Sequence, residues 1–361
     1  MSVVGPFSLA PSYSTAEMTD HRGVRMAAAF GPAADEYRAA RENVALFDRS
    51  DRGLIVLAGS ERKEWLHNLV TSAVLTLDDH AGVYAFAINV KGRILFDLNI
   101  LCLPEALWLD LDLPAVAAAA AHFDRYLFTE DVKLQDATGE YGRLGCGGPR
   151  AADVAARLGV PNLPGLPALS SVALHRGQVH LVRHDFAGLP GFELFVPRGE
   201  GAQWWERLVQ EGARPAGLRT LDVLRVEAGL PWLGRDIDDQ VLPPETGLSS
   251  AGGTPTPPGG TPTPAPGISY EKGCYLGQEI LERMRARSVL ARRLVRVRVA
   301  DGAGLALPAA LTKGGADVGR ITSLVKHPVE PHWPGLGYLK TSVTDPAGIT
   351  TGIPPRAVTI A

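Results

Sequence analysis

Residues 272–279 read KGCYLGQE and form the most specific segment of the chain. Cys274 lies two residues after the ammonium group of Lys272, near the start of an expected helix, a setting that favours a reactive thiolate. Gly273 and Gly277 allow the backbone to approach a ligand closely. The same pattern also fits a buried structural cysteine where a loop meets a helix, which is the more common case for an isolated thiol.

A repetitive stretch lies just upstream of this segment. Two near-identical heptads, GGTPTPP and GGTPTPA, occupy residues 252–265. Such a repeat of Pro, Gly and Thr cannot bury a core, which predicts a disordered insertion over residues 246–267. Motifs continue on both sides, so the insertion is expected to interrupt a domain.

The remaining chain mixes strand and helix patterns without the regular alternation of a doubly wound sheet, and this favours an α+β fold. Strands are predicted at residues 53–57, 84–88, 94–101, 175–183 and 192–196. Helices are predicted near residues 32–43, 61–70, 115–121, 202–210 and 218–227.

Beyond residue 288 the pattern changes again. Valines alternate with arginines from Val295 to Val299, and Gly and Pro recur through residues 302–355, which is typical of a small β-barrel. We therefore expect an irregular lead-in over residues 1–40, a central region over 41–288 that contains the insertion, and a C-terminal barrel over 289–361.

The bulk composition excludes several classes of protein. The 361 residues are 45% hydrophobic with a net charge of −3, so no strong overall field attracts nucleic acid or membrane. The three cysteines, which form no C-x-x-C pair, argue against a disulfide framework and fit a reducing cytoplasm. No signal peptide is visible, and the alanine-rich run at 115–121 is too short to span a bilayer.

Several segments resemble one superfamily. The upstream blocks are LRVEAG at 224–229, then Gly234, Asp236, Asp238 and Glu245, GLPGFEL at 188–194, GPRA at 148–151 and GRILFDL at 92–98. They resemble blocks of the folate-binding aminomethyltransferases, which include the glycine-cleavage T-proteins, over about residues 42–345. The KGCYLGQE run resembles the signature of the YgfZ branch of that superfamily.

The resemblance implies a ring of three domains around a central tetrahydrofolate pocket. By position, Glu193 matches the family glutamate that accepts hydrogen bonds from the pterin edge. Arg225 matches the pocket arginine, and Tyr84 matches a pocket tyrosine that could stack on the ring. Gln278 is expected to contribute a further polar contact to folate.

The resemblance also implies catalytic groups. Asp97 matches the second aspartate of a D-D pair, which in T-proteins lies near folate N10, whereas Phe96 replaces the first. Because a strand alternates its faces, losing the neighbouring carboxylate need not disturb Asp97. An aspartate within an apolar strand is costly without a partner, which supports a pocket-facing position. Cys274 and Lys272 are the other candidate catalytic residues.

Three functions follow from these residues, and they leave open whether the protein is an enzyme. The first is a YgfZ-like, tetrahydrofolate-binding protein that supports iron–sulfur cluster assembly or repair, with iron–sulfur enzymes, including those that modify tRNA, or assembly proteins as partners. The alternative is an aminomethyltransferase of the glycine cleavage system, and the third is a non-catalytic folate-binding scaffold. Cys274 favours the first, because T-proteins usually lack that cysteine.

Two further patterns point to no separate site. Seven arginines between residues 283 and 298 fit a polyglutamate tail, an RNA phosphate, an acidic partner or simply a solvated surface. No aromatic residues alternate with them, which argues against a groove for single-stranded nucleic acid. His180 and His184 would share the face of a strand but lie too far apart for a metal pair, so no metal site is expected.

Overall fold

The structure is a computed structural model that describes residues 3–4, 10–248, 267–287 and 290–360. The strands are β1 (Val3–Val4), β2 (Glu17–His21), β3 (Val24–Ala29), β4 (Ala45–Asp48), β5 (Arg52–Ala58), β6 (Gly82–Ile88), β7 (Ile94–Leu103), β8 (Ala106–Asp112), β9 (Lys133–Asp136), β10 (Tyr141–Gly147), β11 (Ser171–Leu174), β12 (Val179–Arg183), β13 (Gly191–Pro197), β14 (Arg214–Pro215), β15 (Arg292–Val299), β16 (Ala309–Lys313), β17 (Ala316–Leu324), β18 (Trp333–Lys340), β19 (Ile349–Thr351) and β20 (Arg356–Ile360). The helices are α1 (Ala33–Glu42), α2 (Arg62–His67), α3 (Val116–Asp124), α4 (Ala151–Arg157), α5 (Gly201–Gln210), α6 (Leu218–Ala228) and α7 (Gln278–Arg287).

A five-stranded antiparallel sheet, in the order β6-β7-β8-β5-β9, carries two different faces. Phe96 points to the apolar face, where it packs against Phe123 of α3. Asp97 points to the opposite face, beside Tyr84 and in cross-strand register with Phe86. The strand alternation expected from the sequence therefore separates the phenylalanine from the aspartate.

A six-stranded sheet, in the order β11-β12-β13-β10-β4-β14, lies against that polar face. At one part of the contact the ring of Trp108 on β8 meets the rings of Tyr141 at 4.8 Å and Phe195 at 5.1 Å. At another part Arg143 of β10 donates a hydrogen bond of 2.8 Å to Asp110 of β8. The two sheets therefore enclose both an apolar contact and a layer of charged side chains.

The outer face of the six-stranded sheet is covered by helices. Helices α4 and α5 bury Val154, Trp204, Trp205 and Leu208 against it, together with Tyr13 from the N-terminal segment. Helices α1 and α6 pack beside its β4 edge. This burial of large apolar side chains accounts for most of the core of the sheet layer.

The C-terminal strands form a closed barrel in the order β15-β18-β17-β16-β19-β20. Val295, Val297 and Val299 of β15 point into its core, as their alternation with arginines indicates. The predicted α+β class and the small C-terminal barrel are confirmed, whereas the exact domain boundaries stay predictions. In the described part of the chain, no helix is both long and apolar enough to cross a membrane.

Two local predictions are wrong. The lead-in is not irregular throughout, because β2 and β3 pair as an antiparallel hairpin around Arg22 and Gly23, both at positive φ. The strand predicted from residue 175 begins only at Val179, since His175 and Arg176 adopt left-handed backbone angles that are incompatible with a strand.

Most of the predicted insertion, residues 249–266, lies outside the described residues. The flanking residues are joined, because the Gly267 N–H donates a hydrogen bond of 2.9 Å to the Leu248 carbonyl oxygen. The chain therefore enters and leaves this stretch at adjacent points of the fold.

Deleting residues 252–265 is expected to leave the folded core intact, because residues 249–251 and 266 remain to connect the bonded pair Leu248 and Gly267. A shorter loop also loses less entropy on closure. This difference should raise the free energy of unfolding by about 1 kcal/mol and so offset the loss of any contacts. Thermal unfolding of the deletion variant beside the full chain checks this expectation. A fall in Tm of more than about 5 °C, which corresponds to at least 1 kcal/mol, would show that the segment contributes to the core.

Candidate functional site

A cleft of about 90 Å³ opens where the two sheets meet α6 and the segment that follows it. Its walls combine cationic, anionic and aromatic side chains. The lining residues are Arg49, Arg52, Tyr84, Asp97, Asn99, His184, Asp185, Phe186, Arg225, Leu230, Pro231, Trp232 and Leu248. Much of a folate-sized ligand would extend beyond a cleft of this volume.

Asp97 is the unusual carboxylate of this cleft. Its Oδ2 accepts a hydrogen bond of 3.0 Å from the Tyr84 hydroxyl. Its Oδ1 is buried and has no hydrogen-bond partner among the described residues. Burial, reinforced by the charge of Asp112 and opposed by Arg52, raises the pKa of Asp97 to about 6. Asp97 can therefore exchange a proton near neutral pH, as a general base must.

A layer of ion pairs lies behind the cleft. Arg52 donates to Asp110 at 3.0 Å and to Asp112 at 2.6 Å, and Arg143 bridges Asp110 and Glu193 at 2.8 and 3.0 Å. The layer matches four arginines with four carboxylates, namely Arg22, Arg49, Arg52 and Arg143 with Asp51, Asp110, Asp112 and Glu193. Within the described ranges Asp97 has no ion-pair partner, which leaves its charge to be compensated by the field of this layer and by any ligand.

Glu193 lies within this layer rather than on the cleft wall. Its Oε1 accepts from Arg49 at 2.8 Å, and its Oε2 accepts from Arg143 at 3.0 Å and from the ring nitrogen Nδ1 of His184 at 2.7 Å. These cations outweigh burial and hold the pKa of the Glu193 carboxyl well below its usual range. Contact between Glu193 and a pterin stays a prediction. Of the three partners of Glu193, Arg49 and His184 line the cleft.

Arg225 connects α6 to the barrel. Its guanidinium donates to Asp222 and to Asp236 at 2.7 Å, and to the Ser323 hydroxyl of β17 at 2.9 Å. Its planar group also lies 4.0 Å from the centre of the Trp232 ring. Arg225 borders the cleft with most of its donors occupied, so its direct contact with folate stays a prediction.

Tyr84 holds Asp97 through its hydroxyl, and its ring meets the Phe86 ring edge-on at 5.1 Å. Gly267 packs against the same two rings, where an added Cβ would lie 2.9 Å from Tyr84 Cδ1. The structure therefore shows Tyr84 orienting a carboxylate. The predicted stacking of its ring on a ligand stays a prediction.

The KGCYLGQE segment does not reach this cleft. The Lys272 ammonium donates to the backbone carbonyls of His67, Val70 and Ser72, the last two at 2.7 and 2.9 Å, and its burial lowers its pKa to about 7. Cys274 is exposed. Gln278 Oε1 accepts a hydrogen bond of 3.2 Å from the backbone N–H of Tyr275, three residues earlier. None of these three predicted site residues lines the cleft in the described chain, so their proposed roles stay predictions.

Sequence reasoning missed the cationic side of the site, chiefly Arg49, Arg52 and His184. A signal was available in the run DRSDR at residues 48–52, which separates two strongly apolar strands. Charged residues in such a position must find partners, because burying an unpaired charge is very costly. The partners themselves come from distant strands, and no local pattern identifies them.

One family of known proteins matches the chain over most of its length. A family model described as the GCVT N-terminal domain matches residues 10–252, and the chain belongs to this family. The superfamily expected from the sequence is therefore confirmed.

Similar proteins fit this assignment. The chain is 28% identical to an aminomethyltransferase of Rubrobacter xylanophilus, over 90% of this chain and 83% of that protein. It is 25% identical to an aminomethyltransferase of Caldanaerobacter subterraneus subsp. tengcongensis, over 80% and 75% of the two chains. The crystal structure of the glycine cleavage system aminomethyltransferase T from Bartonella henselae superposes with a TM-score of 0.83 at 21% identity, covering 100% of this chain and 97% of that one.

Proposed function

We propose that this protein is a tetrahydrofolate-dependent aminomethyltransferase and that Asp97 is its reacting carboxylate. The observation that carries the proposal is that Asp97 lines the cleft while its buried Oδ1 has no hydrogen-bond partner among the described residues. The names of the similar proteins support the same activity.

The donor set of the cleft fits tetrahydrofolate in its chemistry. The free acceptor of Asp97 suits an amine or amide N–H, and the donors on Arg49 and Asn99 suit carbonyl or carboxylate oxygens. Tetrahydrofolate would supply the amine nitrogens that receive a one-carbon unit. Asp97, Tyr84 and Arg49 are the residues we expect to hold it.

The family resemblance gives the overall reaction. An aminomethyl group leaves the sulfur of a lipoyl carrier, its methylene carbon passes to tetrahydrofolate, ammonia is released and the carrier regains a thiol. Asp97 accepts the proton that the attacking amine loses, and the Tyr84 hydroxyl keeps the carboxylate oriented. The ion-pair layer fixes the charges behind Asp97, so that little reorganisation is needed during transfer.

Ammonia release from an aminomethylated lipoyl carrier tests the proposal. Release above the blank is expected only when the protein and tetrahydrofolate are both present. If this protein binds tetrahydrofolate, as measured by calorimetry, but releases no ammonia, the transferase proposal is wrong and only the proposed folate site is supported.

A YgfZ-like protein that supports iron–sulfur enzymes, including those that modify tRNA, is the second candidate. The exposed Cys274 favours it. Lys272 anchors the neighbouring backbone to the turn after α2, so the thiol is presented at the surface and outside the Asp97 cleft. In this function the thiol would act on a partner protein rather than on a ligand in the cleft.

Replacing Cys274 with Ser or Ala separates the two candidates. Neither change should alter tetrahydrofolate affinity or ammonia release, because Cys274 does not line the cleft. The YgfZ-like function predicts that both changes abolish the ability of the gene to restore iron–sulfur enzyme activity in a deletion strain. Full restoration by both variants would exclude a role of the thiol, and folate binding without either activity would indicate a non-catalytic scaffold.

A further inference from the structure

Arg22 stands at the turn of the N-terminal hairpin and reaches towards the cleft from outside the two main sheets. Its guanidinium donates to the Asp112 carboxylate and, at 3.0 Å, to the Leu233 carbonyl oxygen. It also lies 5.2 Å from the centre of the Trp232 ring. Trp232 is part of the cleft wall, so one side chain connects this wall to the ion-pair layer.

Asp112 is the carboxylate that this contact controls. It is 4% exposed and accepts from Arg52 through Oδ1 and from Arg22 through Oδ2. Asp97 of β7 and Asp112 of β8 both adjoin the cross-strand pair Leu98 and Leu111, which places the two carboxylates beside one another on the ladder. The charge of Asp112 raises the pKa of Asp97, and the charge of Arg52, which pairs with Asp112, lowers it. The loss of the charge on Arg22 or on Asp112 therefore changes the electric field at Asp97.

We propose that Arg22 and Asp112 are positioning residues for the Asp97 site: Arg22 holds residues 232–233, which include Trp232 of the cleft wall, and the pair sets the field at the reacting carboxylate. The inference rests on the proposed function for the statement that Asp97 is the reacting group. The contacts of the pair do not depend on that function.

Other charged and titratable groups also face Asp97 and must be held constant in a test. Tyr84 and Arg52 approach it from the five-stranded sheet, and Arg52 is itself paired with Asp110. From the opposite wall come Arg49, His184 and Asp185, and Arg225 comes from α6. Substitutions at Arg22 and Asp112 replace none of these residues.

The two substitutions should move the titration of Asp97 in opposite directions. Arg22→Gln removes a cation that neutralises Asp112, so the carboxyl of Asp97 should titrate at higher pH. Asp112→Asn removes the anion and leaves Arg52 less compensated, so Asp97 should titrate at lower pH. In a protein interior, the loss of one charge close to a carboxylate shifts the pH at which the carboxylate titrates by on the order of one unit.

Carbon-13 NMR of aspartate carboxyl carbons in the full chain measures this titration, with the Asp97 resonance assigned by its absence from Asp97→Asn. Arg25→Gln is the matched control, because it removes an exposed cation from the same hairpin and leaves Asp112 untouched. Thermal unfolding of each variant shows whether it is folded. Because Arg22 is partly exposed at 13%, its replacement should fold even where Asp112→Asn does not.

Opposite shifts, with no shift in the control, establish the proposal. Shifts in the same direction, or shifts no larger than in Arg25→Gln, overturn it, because simple loosening of the site would act alike in both variants. The titration needs no folate, so a wild type that fails to transfer aminomethyl groups would disprove the proposed function without affecting this result. Calorimetry should also show tetrahydrofolate binding about fivefold weaker in Arg22→Gln than in Arg25→Gln, as the loss of one hydrogen bond to the wall implies.

Discussion

Asp97→Asn is expected to lower the rate of aminomethyl transfer by a factor of about 10²–10⁴, the usual contribution of a positioned general base. The asparagine keeps the size of the side chain and can still accept the Tyr84 hydrogen bond, but it cannot take a proton. Single-turnover ammonia release measures the rate, and calorimetry separates it from any change in tetrahydrofolate affinity.

The same substitution at Asp185 is the matched control. Asp185 also lines the cleft, but its oxygens accept from the Gly191 N–H at 3.1 Å and from Arg183 at 3.5 Å. Asp185→Asn should therefore cost less than about tenfold, since it removes no proton acceptor from the reaction. Equal losses of transfer rate in the two variants would show that any change of charge in the cleft slows the reaction. Asp97 would then no longer be assigned as the proton acceptor.

The pH dependence of the wild type follows from the same group. Because the pKa of Asp97 is raised to about 6, the ionised form that accepts a proton predominates only above that pH. The transfer rate should therefore fall on the acid side of about pH 6 and level off above it, and Asp97→Asn should lack this transition.

Glu193→Ala is expected to destabilise the fold by about 3–5 kcal/mol, the range observed when one partner is removed from a buried ion pair. The change would leave Arg49 and Arg143 facing each other and His184 without its carboxylate. Urea unfolding measures the loss. Glu193→Gln is the matched control, because it keeps the volume and one acceptor oxygen while it removes the charge and the second acceptor.

The sign of the pH effect provides a second check on Glu193. Its carboxyl pKa is lower in the folded protein, so its stabilising contribution is complete above the unfolded value of about 4.3 and is lost as the pH falls below it. The difference between wild type and Glu193→Ala should therefore shrink in acid. A difference that is small and constant with pH would mean that the ion pairs of Glu193 contribute little. Any loss of folate binding in Glu193→Ala must be compared with Glu193→Gln, because the alanine variant disturbs the layer itself.

The sequence places Asp97 on the polar face of its strand, because a lone carboxylate within an apolar strand must face something polar, and the structure shows it there beside Tyr84. Its catalytic role stays a prediction. The sequence does not predict that Arg143 joins Asp110 to Glu193, because that bridge exists only when two sheets with distant strands are stacked. Local patterns determine which face of a strand a residue occupies. They do not determine what lies across from that face.

Other tertiary contacts are absent from the local sequence pattern for related reasons. The KGCYLGQE run stands out in the sequence, yet the ammonium of Lys272 binds backbone carbonyls, which carry no sequence identity. Arg22 lies in a stretch that looks irregular because a short hairpin with a small-residue strand, AAA at 27–29, gives a weak pattern. Its partner Asp112 is far away in the chain, so only the tertiary structure associates the two.

The hydrogen bonds that join Arg225 of α6 and Asp236 to the barrel have a consequence for biosynthesis. Ser323 of β17 accepts from Arg225 at 2.9 Å, and Thr322 and Ser323 both donate to Asp236, at 2.6 and 2.7 Å. A ribosome makes the sheets and α6 before it makes these two residues, so in a nascent chain Arg225 can bind Asp222 and Asp236 but not yet Ser323. The arginine beside the cleft therefore gains its contact with the barrel only after β17 has been made, and a product truncated before β17 would lack that contact.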